Sequence, residues 1–134
     1  MPTRKTLDDL APTPGYAHVS VLDPGERLVV TAGAVPVDPD GTLVGPGDLE
    51  LQTQATLDNL ARALQAVGSG LEQVLKSTVY VVAGEHGHLL RAWEVVRGSE
   101  LSAGPHASTL LGVSMLGYTG QLVEIEAIAL VPRN

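Results

Sequence analysis

The chain has no cysteine and no phenylalanine, and only one tryptophan and three tyrosines among its 134 residues. Without cysteine there is neither a disulfide framework nor a thiolate nucleophile, which fits a reducing compartment. With so few aromatic rings, the core must be assembled from valine, leucine, isoleucine and alanine. That composition suits a sheet covered by helices. Positive charge is also scarce, since eight Lys and Arg stand against fifteen Asp and Glu for a formal net charge of −7. Sequence-independent nucleic-acid binding depends on basic side chains that neutralise phosphates, so few and scattered basic residues argue against such a partner. No stretch approaches the roughly 18 apolar residues of a membrane span. The opening "MPTRKTLDDLAPTPGY" has no apolar core of signal-peptide length. A cytoplasmic protein without a membrane partner is the expectation.

What is present has the size of one domain, 1–134, large enough to bury roughly two-thirds of the surface that its unfolded chain exposes. Residues 1–15, rich in proline and charge, read as a loosely attached lead-in. The runs Tyr16–Leu22 and Arg27–Val37 flank "DPGE" and predict a hairpin. The stretch "VDPDGTLVGPG" holds several turn signals, with Asp40-Gly41 as the reversal. Asp48 can cap a helix whose apolar set Leu57, Leu60, Ala61, Leu64 and Val67 recurs at helical spacing up to Gly68. A strand over 73–83 follows, and then a helix with Leu89, Trp93 and Val96 inward. Strands near 106–114 and 121–131 complete the order ββαβαββ, an α+β pattern.

In the last strand Leu122, Glu124, Glu126, Ile128 and Leu130 share one face, and Val123, Ile125, Ala127, Ala129 and Val131 the other. Both faces are apolar apart from the two glutamates. Two helices can cover only one side of such a sheet, so the other side needs a cover that the chain does not provide. The simplest cover is another copy of the chain.

The segments "TAGAVPVDPDGTLVGPGDLELQTQATLDNLARALQAVG", "VLKSTVYVV", "PHAST" and "LVEIEAIALV", in that order, resemble the Rid family, also called YjgF or endoribonuclease L-PSP. The resemblance covers about nine-tenths of the chain, from "PGYAHVSV" to its end. It implies a chorismate-mutase-like α+β fold, a homotrimer around a central barrel, and small-molecule clefts between subunits. It implies no cofactor. In the family's imine and enamine deaminases the cleft has a tyrosine, backbone groups of a Ser-Gly, an arginine in Pro-Ala-Arg-Ser, and the second glutamate of Glu-Ile-Glu-Ala. By position these fall on Tyr16, on Ala32 and Gly33, on Ala107 within "PHAS" beside Ser108, and on Glu126. The arginine is therefore missing, as in the family's arginine-lacking subgroups, and His106 should point to the opposite face.

Two readings of several residues stand at this point. Glu126 is either a carboxylate that orients water or moves a proton at an imine or enol carbon, or one bonded to backbone at a subunit interface. Gly33 either lets a ligand approach closely or forms a plain bulge. Arg91 either supplies a substitute cation for the cleft or is a solvated surface arginine. His86 and His88 in "GEHGHLL" read as an exposed turn without a third metal ligand, so no metal is expected. The leading function is action on a small enamine, imine or carbonyl metabolite that need not carry a carboxylate, by deaminase-like hydrolysis or tautomerisation. The alternative is a non-catalytic ligand-binding or regulatory module, and an endoribonuclease is a more distant third.

Overall fold

The computed structural model describes residues 3–104 and 106–133. Its strands are β1 (Thr3–Lys5), β2 (Val19–Val21), β3 (Arg27–Val30), β4 (Val74–Val82), β5 (Ala107–Val113) and β6 (Val123–Val131), and its helices are α1 (Leu49–Gln65) and α2 (His86–Arg97). Pro105 of the "PHAST" stretch lies outside the described residues. The strands β3, β6, β4 and β5 form one sheet in that order; β4 and β5 run parallel, and the other neighbours are antiparallel. Both helices lie on one face, as expected for this α+β pattern.

The last strand lies inside the sheet, between β3 and β4, and its helix-facing side is wholly apolar. Its residues Val123, Ile125, Ala127 and Ala129 are buried under the helices with Val79 and Val81 of β4. From the helices come Leu57, Leu60 and Leu64, together with Ala92, Trp93 and Val96. Each fully buried valine or leucine contributes about 1.5–3 kcal/mol relative to exposure, so this aliphatic layer replaces the aromatic core that the composition denies.

The first helix starts where Asp48 accepts a hydrogen bond from the Leu51 N–H at 3.0 Å. It ends before Gly68, whose positive φ of 82° lets the Ser69 N–H turn back to the Leu64 carbonyl at 2.9 Å. Val67 was expected on the inward stripe, but it lies beyond the last helical residue, Gln65, and is 49% exposed. The chain has already left the helical path there. Gln52, fully buried on α1, donates to the Gly45 and Gly120 carbonyls and accepts from the Leu122 N–H. This one side chain ties two loops and the entry to β6 onto the helix.

The expected hairpin around "DPGE" does not form. Strand β2 pairs with β1, and β3 pairs with β6. The inner edge of β3 is taken by the central strand, so the chain between β2 and β3 links two separate sheets. The lead-in is correspondingly fastened in part. Arg4 donates to the Glu72 and Val74 carbonyls, both at 3.0 Å, and the Trp93 indole donates to the Pro14 carbonyl at 3.0 Å. No helix among the described residues is long and apolar enough to cross a membrane.

His106 points to the helix-covered side and is fully buried. Its Nε2 lies 2.7 Å from the Ser77 hydroxyl, which lies 2.8 Å from that of Ser108. Burial, aided by the nearby Arg4 charge, lowers its pKa from 6.5 to about 4. The folded protein therefore holds a neutral imidazole, whereas the unfolded chain takes up a proton below about 6.5. That proton uptake favours unfolding, so stability should fall as pH drops from about 6.5 to 4, by about 3 kcal/mol from this residue. Denaturant melts of wild type and His106→Asn across that window check it. The wild type should show the steeper loss, and equal slopes would refute the assignment.

Candidate functional site

The face of the sheet away from the helices carries the two glutamates. In β6, Glu124 and Glu126 alternate with buried Val123, Ile125 and Ala127. The pairing sets Thr78 opposite Glu126 and Tyr80 opposite Glu124. Tyr80 donates its phenolic hydrogen to Glu126 Oε1 at 3.1 Å. That bond raises the tyrosine pKa, because ionising the phenol would set a second anion against the carboxylate. Around Glu126 is a concavity of about 290 Å³ lined by Val30, Thr31, Lys76, Thr78, Ala127 and Ile128.

The two carboxylates have different surroundings. Glu124 Oε1 accepts from the Gln121 side-chain amide at 3.0 Å. Its stem fills the space beside Gly33, where an added Cβ would stand 2.6 Å from Glu124 Cδ and 2.7 Å from Cγ. Gly33 is thus a close-approach position for a side chain of the same protein. It also belongs to a bulge, since Val30 faces Ile128 and Ala34 faces Ile125, leaving Thr31, Ala32 and Gly33 against only Glu126 and Ala127. The Thr31 N–H reaches the Ala127 carbonyl at 3.0 Å, and the Ala127 N–H reaches Thr31 Oγ1 at 3.0 Å. The N–H groups of Ala32 and Gly33 make no hydrogen bond among the described residues. Two free donors beside the level of Glu126 result.

Ala107 opens β5 in register with Lys76, and so faces the same open side. Tyr16 and Ser108 do not. They line a second cavity, of about 250 Å³, with Pro14, Leu90, Trp93 and Leu110 on the helix side. The Tyr16 ring stands edge-on to Trp93, with centroids 6.1 Å apart at 83°. Within one chain the sheet therefore separates Tyr16 and Ser108 from Glu126, Ala107 and the Ala32–Gly33 bulge.

Within one chain Arg91 is engaged away from Glu126. It grips Glu50 through two bonds, Nε to Oε1 at 2.6 Å and Nη2 to Oε2 at 2.8 Å, on the exposed side of the two helices. Its charge is spent where an acidic residue at the start of α1 meets it. His86 and His88 lie in the first turn of α2 instead of a turn before it, and His88 Nε2 stands 3.8 Å from Glu85. No group of three or more His, Asp or Glu placed to hold a metal occurs among the described residues. Lys76 and Tyr80 are the open-face residues that sequence reasoning missed. The alternation in "VLKSTVYVV" sets Lys76, Thr78 and Tyr80 on one side and Ser77, Val79 and Val81 on the other, which was the available signal.

A family model described as Endoribonuclease L-PSP matches residues 6–131. A RutC family protein of Pyrococcus horikoshii is 35% identical over 71 residues, 53% of this chain and 56% of that protein. A 2-iminobutanoate/2-iminopropanoate deaminase of Escherichia coli is 32% identical over 71 residues, 53% of this chain and 54% of the deaminase. The chain thus spans about half the length of these relatives. The crystal structure of a conserved Rid-family protein of unknown function from Yersinia pestis superposes with a TM-score of 0.86 at 30% identity, covering 96% of this chain and 98% of that one.

The contact between Gly33 and Glu124 is open to a direct test. The substitution Gly33→Ala should lower stability by about 0.5–1.5 kcal/mol, because the added methyl pushes the Glu124 side chain off its hydrogen bond with Gln121 while the backbone there needs no positive φ. In the double variant Gly33→Ala/Glu124→Ala much of that loss should return. Thermal melts of the four proteins that showed simple additivity would rule the contact out.

Proposed function

The chain belongs to the endoribonuclease L-PSP, or Rid, family, and from that membership we propose that the concavity around Glu126 is a small-molecule site acting on an enamine, imine or carbonyl metabolite. The observation that carries this reading is a carboxylate held by Tyr80 at the rim of a concavity on the sheet face that the helices leave open. With Oε1 fixed by the phenol, Oε2 is free to hold a water. That water adds to the imine carbon as one of its protons passes through the carboxylate to the nitrogen, giving a carbinolamine; the carboxylate then carries the carbinolamine hydroxyl proton to the nitrogen as the carbonyl forms and the C–N bond breaks, releasing an amine or ammonia. For an enol or enamine, the same oxygen carries the proton between heteroatom and carbon. The free N–H groups of Ala32 and Gly33 supply donors for a developing oxyanion.

The site is completed by other copies of the chain in a homotrimer. Leu28 and Val30 are 46% and 72% exposed and lie with Ile128, 37% exposed, on the face that the helices leave open. A large uncovered apolar patch supports an assembly. Packing a neighbouring copy there offers a route for its Tyr16 and Ser108 to approach Glu126 despite the sheet that separates them within one chain. The second reading, a ligand-binding module without turnover, draws on Ala107, which offers no guanidinium on β5. The endoribonuclease reading has little support from a net charge of −7.

Two measurements test the proposal. Glu126→Gln should reduce turnover of small imines by 10²–10⁴-fold, the usual worth of a positioned acid or base, while Glu124→Gln should change it far less. Equal small effects would favour the module. Light scattering at micromolar concentration should give three times the 13.9 kDa of one chain. A monomer would sink the shared site.

A further inference from the structure

Resting on the reading of the concavity around Glu126 as a reaction site, we infer that Gln121 is a positioning residue of that site: acting through the stem of Glu124, it fixes the free N–H groups of Ala32 and Gly33. Among the described residues the bulge that carries these donors is pinned only at its ends. At one end the Thr31 N–H meets the Ala127 carbonyl at 3.0 Å, and at the other Ala34 and Ile125 exchange both of their bonds, at 2.7 and 3.1 Å. Between those ends the N–H groups of Ala32 and Gly33 have no partner among the described residues to set their direction.

Glu124 supplies what the ladder leaves out. Its side chain occupies the place that a side chain at position 33 would take, with Cγ 2.7 Å and Cδ 2.6 Å from a Cβ built there and Oε2 in contact with it. Gly33 has no positive φ, so glycine stands there for space and not for backbone conformation. A half-buried stem set against the bare α-carbon keeps the peptide from turning toward the open face. The direction of that peptide is what aims an N–H at a developing negative charge.

Gln121 holds that stem in place. It is 3% exposed, and its amide is used on three sides: Nε2 donates to Glu124 Oε1 at 3.0 Å and to the Val123 carbonyl at 2.9 Å, and Oε1 accepts from the Tyr118 N–H at 3.1 Å. A buried amide bonded in this way has one orientation, and it passes that orientation to the carboxylate it grips. The charge of Glu124 is not what the bulge needs, since a second anion near a developing oxyanion opposes it. A neutral side chain of the same length, able to accept from Gln121, serves as well.

The test measures kcat and KM for 2-iminobutanoate generated in situ, together with the backbone amide resonances of Ala32 and Gly33. The proteins are wild type, Gln121→Leu, Glu124→Ala, Glu124→Gln, the double variant Gln121→Leu/Glu124→Ala and Glu126→Gln, each checked for native circular dichroism and assembly size. Gln121→Leu and Glu124→Ala should each shift both resonances and lower kcat about tenfold with little change in KM, a part of the roughly 10²–10³-fold that one oxyanion donor contributes. The double variant should be no worse than either single one, because both remove the same prop. Glu124→Gln should keep the wild-type kcat and resonances. Resonances that stay in place, losses that add, or a Glu124→Gln protein as slow as Glu124→Ala would each refute the inference. If Glu126→Gln abolishes turnover while Gln121→Leu and Glu124→Ala leave kcat intact, Gln121 positions nothing and the reaction site stands. If wild type does not accelerate the hydrolysis at all, the reaction site fails, and this inference with it.

Discussion

The antiparallel register between β4 and β6 is the constraint on which the rest of the structure depends. It places Val79 beside Ile125 and Thr78 beside Glu126, so that one face is apolar apart from Ser77 and the other carries every charge of the two strands. A slip of one residue would send Glu124 and Glu126 under the helices and bring Val123 and Ile125 to the surface. Burying two unpaired carboxylates there would cost more than the domain's net stability can bear. The register is thus enforced by the same residues that form the candidate site.

From that register follows a division of labour between polar groups. Several on the helix side are closed upon one another: Gln52 meets backbone from three directions, and His106 Nε2, Ser77 and Ser108 form a chain of hydroxyl and imidazole contacts, while the buried Thr56 Oγ1 and His106 Nδ1 have no partner among the described residues. Those on the open side keep unused capacity. Among the described residues Glu126 has one oxygen without a partner, Lys76 has a single hydroxyl, and the Ala32–Gly33 bulge presents two donors. Unused hydrogen-bonding capacity on a concave face is what a ligand or a second subunit can satisfy.

The two arginine-like questions also resolve by position. Arg91 lies on α2 opposite Glu50 of α1, and a bidentate pair is the natural outcome when a guanidinium meets a carboxylate across two packed helices. Lys76 lies on a strand whose neighbours at that level are alanine and isoleucine, and among the described residues its ammonium meets the Thr109 hydroxyl and no carboxylate.

The sequence by itself determined the elements whose signals are local. Asp48 at the start of α1, the glycine at its end, the stripe of leucines, and the two-residue alternation of β6 all act through bonds and contacts within a few residues, and the sequence reading placed each of them. The assignment of the last strand's residues to two faces came from that alternation alone. Only the tertiary structure decided which strands meet. That β2 joins β1 and not β3, that Tyr16 falls on the helix side, that Glu124 leans on Gly33, and that Lys76 comes beside Glu126 all depend on pairing between residues far apart in the chain. Such pairing is chosen by competition among every apolar strand for the same partners, so no stretch read alone contains the answer.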